Sequence, residues 1–154
     1  MRSVQWRIWG GHVVMALLCG AGLLKLADLD SFRYSLDSWV LVPLPLRLIA
    51  VYLVPTGEVF IGMSWLFGVG RTWVLWGALL LLTLFGVIYG VHALTVGPPT
   101  CQCFGKLSEY HAFRASARSV IVQDAIMCIA LLLALSAARS SASAAIPVVA
   151  PTRS

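Results

Sequence analysis

Four long apolar runs, separated by short polar segments, dominate the sequence. They cover about 8–27, 46–67, 72–96 and 118–138, and the third contains no Asp, Glu, Lys or Arg. About 20 apolar residues in an α-helix cross a hydrocarbon core of roughly 30 Å. The pattern therefore predicts an all-α protein, an integral membrane four-helix bundle.

The segment between the first two runs has a different pattern, in which charged and apolar residues are interleaved. The charged residues are Asp28, Asp30, Arg33 and Asp37, and the apolar ones are Phe32, Tyr34, Leu36 and Trp39. Aromatic side chains favour the membrane interface. We therefore expect a short interfacial segment between helices 1 and 2.

Composition agrees with a membrane protein. Hydrophobic residues make up 60% of the chain and charged residues only 11%, whereas a soluble domain carries about 25% charged residues. The lipid bilayer is the expected partner. The net charge of +5 comes without a long basic cluster, so nucleic-acid binding is not predicted. We expect one membrane domain over 1–138 and a disordered C-terminal tail over 139–154, which is rich in Ser, Ala and Pro.

Four spans place both termini on one side of the membrane. Arg2 and Arg7 precede the first helix without a neighbouring acid, and positive charge before the first helix favours the cytoplasmic side. We therefore predict cytoplasmic termini and an external segment between the third and fourth spans. Disulfides persist on that side.

The external segment contains Cys101 and Cys103, separated only by Gln102. A disulfide across one residue closes a tight, strained ring that exchanges easily. This spacing favours thiol–disulfide chemistry, with these two cysteines as the catalytic residues. Two alternatives stay open: unpaired loop thiols, and a copper(I) or zinc site. No metal site is predicted, because the nearest further ligands are only His92 and His111.

The other two cysteines, Cys19 and Cys128, lie inside apolar runs, where small buried thiols are common. His92 lies nine residues before Cys101 near the outer end of the third span. It is a candidate helper that lowers a thiol pKa or carries a proton. The alternative is an interfacial histidine without a chemical role.

Four charged residues lie within or at the edge of the apolar runs: Lys25, Asp28, Glu58 and Asp124. A charge in hydrocarbon costs about 3 kcal/mol on insertion scales, so it usually faces the bundle interior and a partner. We expect Lys25 to reach Glu58 or Asp28, or to extend toward the outer surface. A structural contact and a proton relay both fit Glu58.

Several of these residues together resemble a known family. They are Gly22-Leu23-Leu24-Lys25-Leu26-Ala27-Asp28, Phe32, Pro43, Pro55-Thr56-Gly57-Glu58, Gly62 and Cys101-Gln102-Cys103-Phe104-Gly105. In this order they resemble the methylamine utilisation protein MauE family, a branch of the DoxX-like four-helix membrane proteins.

The resemblance implies a bacterial inner (cytoplasmic) membrane protein whose Cys101 and Cys103 face the periplasm. It implies a thioredoxin-like partner similar to MauD, and a role in disulfide formation during maturation of methylamine dehydrogenase. No cofactor is identified from the residues, and a quinone as electron acceptor rests on analogy with other four-helix thiol oxidases. The alternatives are a non-catalytic DoxX-like respiratory or assembly subunit and a copper(I)-binding membrane protein.

Overall fold

The computed structural model describes residues 2–99 and 117–144, with side chains described over 9–70, 72–99 and 119–138. The described residues form five α-helices: α1 (Arg2–Ala27), α2 (Leu29–Asp37), α3 (Leu44–Leu66), α4 (Arg71–Thr95) and α5 (Ala117–Ala144). Helices α1, α3, α4 and α5 are each long and apolar enough to cross a membrane. The all-α, four-span membrane fold predicted from the apolar runs is confirmed, and the chain is a multi-pass membrane protein.

Prolines and glycines determine where the helices begin. Pro43 precedes α3, and Pro45 lies in its first turn, where a missing N–H costs nothing. Between α3 and α4 the chain turns through Gly68 and Gly70, whose φ values are +72° and +54°, a region that glycine adopts without strain. Helix α5 continues to Ala144, so 139–144 are helical and differ from the disordered tail that we predicted. Residues 145–154 lie outside the described part.

The four long helices form a ring. Helix α1 packs against α3 and α5, and α4 packs against α5 and α3. The core at the end of the bundle that holds the α3–α4 turn contains residues from all four helices: Val14, Met15, Leu18, Trp65, Leu75, Ala78, Leu82, Leu131, Ala134 and Leu135. Many other large apolar side chains of these helices are exposed, among them Leu53, Phe60, Trp73 and Leu80, as expected for surfaces that face lipid.

Helix α1 ends beside the middle of α3, and α2 packs against the N-terminal half of α3. Gly22, near the end of α1, lies against Pro55 and Glu58. Beyond that point Phe32 and Leu36 of α2 pack with Val51 of α3. The two helices α1 and α2 therefore share one side of α3, each covering about half of it.

The position of α2 adds packing contacts to the predicted interfacial segment. Phe32 of α2 and Trp39, two residues after its end, are buried in a second core with Leu36, Val51, Tyr89 and Val120, whereas Tyr34 is exposed at 75% of its surface. An amphipathic helix buries its apolar side wherever a protein surface offers complementary packing, and here α3, α4 and α5 supply that surface.

Two glycines allow α1 and α3 to approach closely. A Cβ atom at Gly62 would lie 2.6 Å from Cβ of Cys19, and one at Gly22 would lie 2.8 Å from the carbonyl oxygen of Pro55. Real Cβ atoms do not approach so closely, so a side chain at either position would force the two helices apart. Small residues at helix contacts serve this purpose in membrane proteins.

We expect Gly22→Ala and Gly62→Ala each to lower the free energy of unfolding by about 1–3 kcal/mol, the usual cost of overpacking. Gly20→Ala and Gly57→Ala are the matched controls on the same helices, because no atom lies within 4 Å of a Cβ at either position. The controls should be neutral or up to about 1 kcal/mol more stable, since alanine favours helix. Thermal unfolding in detergent, followed by tryptophan fluorescence, measures the difference. Equal losses in all four variants would contradict the close contact.

Candidate functional site

The two predicted catalytic cysteines, Cys101 and Cys103, lie outside the described residues, between Pro99 and Ala117. The nearest described part of the site is the C-terminal end of α4, which precedes these cysteines in the chain. Helix α4 ends at Thr95, and the backbone N–H groups of Val96 and Gly97 both donate to the carbonyl of His92. Gly97 has φ of +125°, a conformation open to glycine but not to residues with a side chain.

Pro98 and Pro99 follow this turn, and Pro99 is buried. Proline fixes its own φ and also restricts the residue before it. The chain thus leaves the end of α4 in a defined direction, two residues before Cys101. The positive φ of Gly97 and the fixed φ of the two prolines thus explain why Gly-Pro-Pro follows this apolar helix.

His92 is buried at this turn, with only 2% of its surface exposed. Its Nδ1 lies 2.8 Å from the carbonyl oxygen of Gly97. A carbonyl oxygen can only accept, so Nδ1 carries a hydrogen and donates it. The second ring nitrogen, Nε2, is buried and has no hydrogen-bond partner among the described residues. His92 is thus buried within the protein, and its part as a helper stays a prediction.

His92 belongs to an aromatic cluster with Trp39, Phe85 and Tyr89. Trp39, two residues after the end of α2, is its centre, with ring centroids 5.1 Å from Phe85, 5.9 Å from Tyr89 and 6.3 Å from His92. The angles between the ring planes are 48–61°, within the tilted arrangements that aromatic pairs prefer. The segment that follows α2 therefore closes the bundle beside the turn at the end of α4. Nothing in the sequence pattern singled out Trp39 for this role.

Lys25 and Glu58 form a buried ion pair across α1 and α3. The Nζ atom of Lys25 lies 2.5 Å from Oε1 of Glu58, and both side chains are almost fully buried. Nζ also lies 5.4 Å from the centre of the Phe32 ring, which suits a cation–π contact. The predicted pairing with Glu58 is confirmed. The alternative that Lys25 extends to the outer surface is wrong, because α1 ends against the middle of α3 rather than at the surface.

Glu58 lies in the middle third of α3, so the pair is far from both ends of that helix. Its second oxygen, Oε2, is buried and has no hydrogen-bond partner among the residues that the structure describes. Lys25 thus neutralises the charge of Glu58 without satisfying both oxygens.

Asp28 has a separate, structural role at the junction of α1 and α2. It is the N-cap of α2: Oδ1 accepts from the backbone N–H of Ser31 at 3.2 Å, and Oδ2 accepts from the Ser31 hydroxyl at 3.0 Å. An Asp at this position satisfies a free donor at the start of the helix. At the other end, Arg47 donates to the carbonyl of Asp37 at 3.1 Å, so both ends of α2 are fixed.

Asp124 lies on the contact between α4 and α5. Its carboxylate occupies the space that a side chain at position 86 would need, so only Gly86 permits this placement. Cys128, one turn further along α5, lies beside Asp124 and the hydroxyl of Thr83. Within the described part of the chain, no basic side chain pairs with Asp124. The importance of Gly86 was not predicted, because a glycine in an apolar run gives no sign of which residue faces it.

The predicted site residues within the described part thus lie at four places. Lys25 and Glu58 come together, Asp28 caps α2, His92 lies at the end of α4, and Asp124 lies between α4 and α5. Cys19 is buried, Cys128 is half-buried, and both are free thiols. Among the described residues, no group of three His, Cys, Asp or Glu side chains is placed to hold a metal ion.

The sequence matches the family model of the methylamine utilisation protein MauE over residues 7–138. This match covers most of the 154-residue chain. The chain belongs to the MauE family. No curated protein and no solved structure matches it. The predicted resemblance is confirmed, and the chain is a MauE-like membrane protein of a family described by its part in methylamine utilisation.

Four of the residues on which the MauE resemblance rests lie at one contact. Gly22 and Gly62 let α1 and α3 approach, and Lys25 pairs with Glu58 across the same contact. We call these four residues the α1–α3 seam. Another part of the resemblance, Cys101 to Gly105, follows the end of α4 in the sequence. The MauE-like features thus include a packing element within the bundle and a pair of cysteines that follows α4 in the chain.

Proposed function

We propose that this MauE-family protein carries out thiol–disulfide exchange with a periplasmic protein, using Cys101 and Cys103. A thiolate of the reduced partner attacks the Cys101–Cys103 disulfide, and a mixed disulfide forms. The partner's second thiolate then resolves it. The partner loses two electrons and becomes a disulfide, while Cys101 and Cys103 gain them and become thiols.

The observation that carries this proposal is the attachment of the CxC sequence to a rigid helix end. The turn at Gly97 is held by two backbone hydrogen bonds and by the His92 side chain, and the buried Pro99 precedes Cys101 by two residues. A strained, exchangeable disulfide is useful when it is presented in a fixed place to a visiting protein. The rest of the bundle anchors the CxC sequence in the membrane.

The partner and the electron acceptor belong to the same proposal. A thioredoxin-like protein similar to MauD is the partner that family membership suggests, and maturation of methylamine dehydrogenase is the pathway. A membrane quinone is the acceptor that would restore the disulfide, by analogy with other four-helix thiol oxidases. Placement in the bacterial inner membrane with cytoplasmic termini is required, because the dithiol must face the oxidising side.

Thiol labelling of intact cells tests the side and the oxidation state together. With a membrane-impermeant maleimide, we expect Cys101 and Cys103 to react only after treatment with a reductant. The Cys101→Ser/Cys103→Ser variant is the control and should stay unlabelled. Labelling before reduction would show that the dithiol is not held oxidised. Labelling only in permeabilised cells would place it in the cytoplasm. Either result overturns the proposal.

A second candidate function is a non-catalytic assembly or respiratory subunit. The observation that favours it is the α1–α3 seam, which serves packing and consists of four MauE-like residues outside the CxC sequence. In that case the bundle is required and the thiols are dispensable. The cysteine replacements argued in the Discussion separate the two functions.

A further inference from the structure

Helix α2 has a charged side that points away from the bundle. Its members are Asp30, Arg33, Tyr34 and Asp37, and all four are exposed. Residues spaced by three, four and seven positions lie on one side of an α-helix, so these four form a continuous surface. The opposite side of α2 is buried in the bundle. We call the exposed surface the charged side of α2.

Contacts with α3 fix the level of this charged side. Arg47, in the first turn of α3, donates to the carbonyl oxygen of Asp37, and Phe32 packs with Val51. Val51 lies about 10 Å along the helix axis from the beginning of α3, at 1.5 Å per residue. Helix α3 is itself a 23-residue candidate membrane span. The charged side of α2 therefore runs along the first half of α3 rather than beyond its end.

Charged side chains beside a membrane span need a partner. A charge in hydrocarbon costs about 3 kcal/mol on insertion scales. Asp37 has a partner within the chain, because its carboxylate lies 3.8 Å from the guanidinium of Arg47. Asp30 and Arg33 form no ion pair with any described residue. One acid and one base are thus left for a partner outside the chain.

We propose that the charged side of α2 is the contact between two copies of this chain, related by a two-fold axis along the membrane normal. Such an axis keeps the two α2 helices parallel and makes each contact twice. Arg33 of one copy faces Asp30 of the other, and the reverse pair forms as well. The two residues are separated by about 4.5 Å along the helix, which an arginine side chain spans. Tyr34, exposed at 75% of its surface, adds a residue type that is frequent at the centre of interfaces.

Other occupants fit this surface less well. A soluble periplasmic protein does not reach a surface that lies along a membrane span. A lipid phosphate would meet two acids, Asp30 and Asp37, for one base, Arg33. A second copy supplies one unpaired acid and one unpaired base at matching levels, so every charge on the surface is paired. This contact does not depend on the proposed thiol–disulfide exchange.

Charge reversal tests the contact. Full-length chains carrying a donor or an acceptor fluorophore at the C-terminus are mixed in phosphatidylcholine vesicles, and energy transfer over a range of protein-to-lipid ratios gives the dissociation constant. We expect Asp30→Arg and Arg33→Asp each to raise this constant by about 100-fold or more, because like charges then face each other. A mixture of the two variants should bind nearly as tightly as the parent, since the acids of one chain then face the bases of the other.

Two controls accompany the reversals. Asp37→Asn is the matched control on the same surface and should leave the dissociation constant unchanged, because Asp37 is paired within its own chain. Arg33→Asp should also leave the thermal unfolding of single chains in excess detergent nearly unchanged, as expected for an exposed position. If a reversal does not fold, Asp30→Asn and Arg33→Gln replace it, and each should raise the constant by about tenfold.

Three outcomes overturn the proposal. A parent chain that stays monomeric in vesicles would show that water or lipid head groups cover the charged side of α2. Reversals, or the neutral variants that replace them, that dimerise as tightly as the parent would place the contact elsewhere. Reversals that weaken dimerisation but are not rescued by mixing would show that Asp30 and Arg33 act within each chain.

Discussion

Replacing Lys25 with methionine is expected to lower the free energy of unfolding by about 3–5 kcal/mol, the usual cost of removing one partner from a buried ion pair. The change leaves the Glu58 carboxylate buried at 7% exposure, with Oε1 deprived of its partner and Oε2 already without one among the described residues. Methionine keeps most of the volume of lysine, so the loss reports charge rather than a cavity. Tryptophan fluorescence during thermal unfolding in detergent measures it.

Two controls make this result specific. Arg33→Met removes a positive charge from an exposed position on α2 and should change stability by less than about 0.5 kcal/mol. The double variant Lys25→Met/Glu58→Met removes both charges and should recover most of the loss, because apolar replacements of buried ion pairs are often neutral or stabilising. A double variant as unstable as the single one would show that Lys25 acts through packing and not through Glu58.

The double variant Lys25→Met/Glu58→Met, together with Glu58→Gln, also decides whether the Lys25–Glu58 pair is a structural contact or part of a proton relay. A folded double variant with full exchange activity would mean that the Lys25–Glu58 pair only joins α1 to α3. A folded but inactive double variant, together with a folded and inactive Glu58→Gln, would mean that protons pass through the carboxyl group. Oε2, which has no hydrogen-bond partner within the described helices and turns, is the atom available for such a relay.

The long helices could be predicted from the sequence because the hydrocarbon core of a membrane offers no hydrogen-bond partner to the backbone. An apolar run of about 20 residues must form a helix to satisfy its own backbone, and the predicted bounds differ from the observed ones by one or two residues except at the beginning of α1 and the end of α5. The Lys25–Glu58 pair could be predicted for a related reason. Few charges lie within the spans, and each one needs a partner.

The role of α2 could not be predicted in the same way. Phe32 and Trp39 fit an interfacial segment as well as a packed one, since the same apolar spacing suits both surfaces. Helix α1 ends at Ala27 as predicted, but the sequence does not show that this end lies beside the middle of α3. Contacts of Gly22 with α3 place it there, and this position leaves space for α2 to pack. The placement of Asp124 over Gly86 is likewise a property of two helices together. The predicted dithiol lies outside the described residues and stays a prediction.

Replacing Cys101 and Cys103 together with serine is expected to abolish thiol–disulfide exchange, the largest effect predicted for this protein. Serine keeps the size and the polarity of the two side chains but cannot form an S–S bond. Purified oxidised protein is mixed with dithiothreitol under anaerobic conditions, and we expect each parent chain to oxidise one dithiol. The double variant should oxidise none above background, because the other two cysteines are free thiols within the described helices.

The matched control is Cys19→Ala/Cys128→Ala, which removes the same number of thiols from the membrane spans and should retain full exchange. The single variant Cys103→Ser adds a direct test of mechanism. Its remaining Cys101 should be trapped as a mixed disulfide with a partner protein, visible as a mass shift that a reductant reverses. If the double serine variant still supports maturation of the partner in cells, the thiols are dispensable, and the assembly-subunit function is then favoured. If purified parent protein carries copper(I) that the double serine variant lacks, the CxC sequence is a metal site instead.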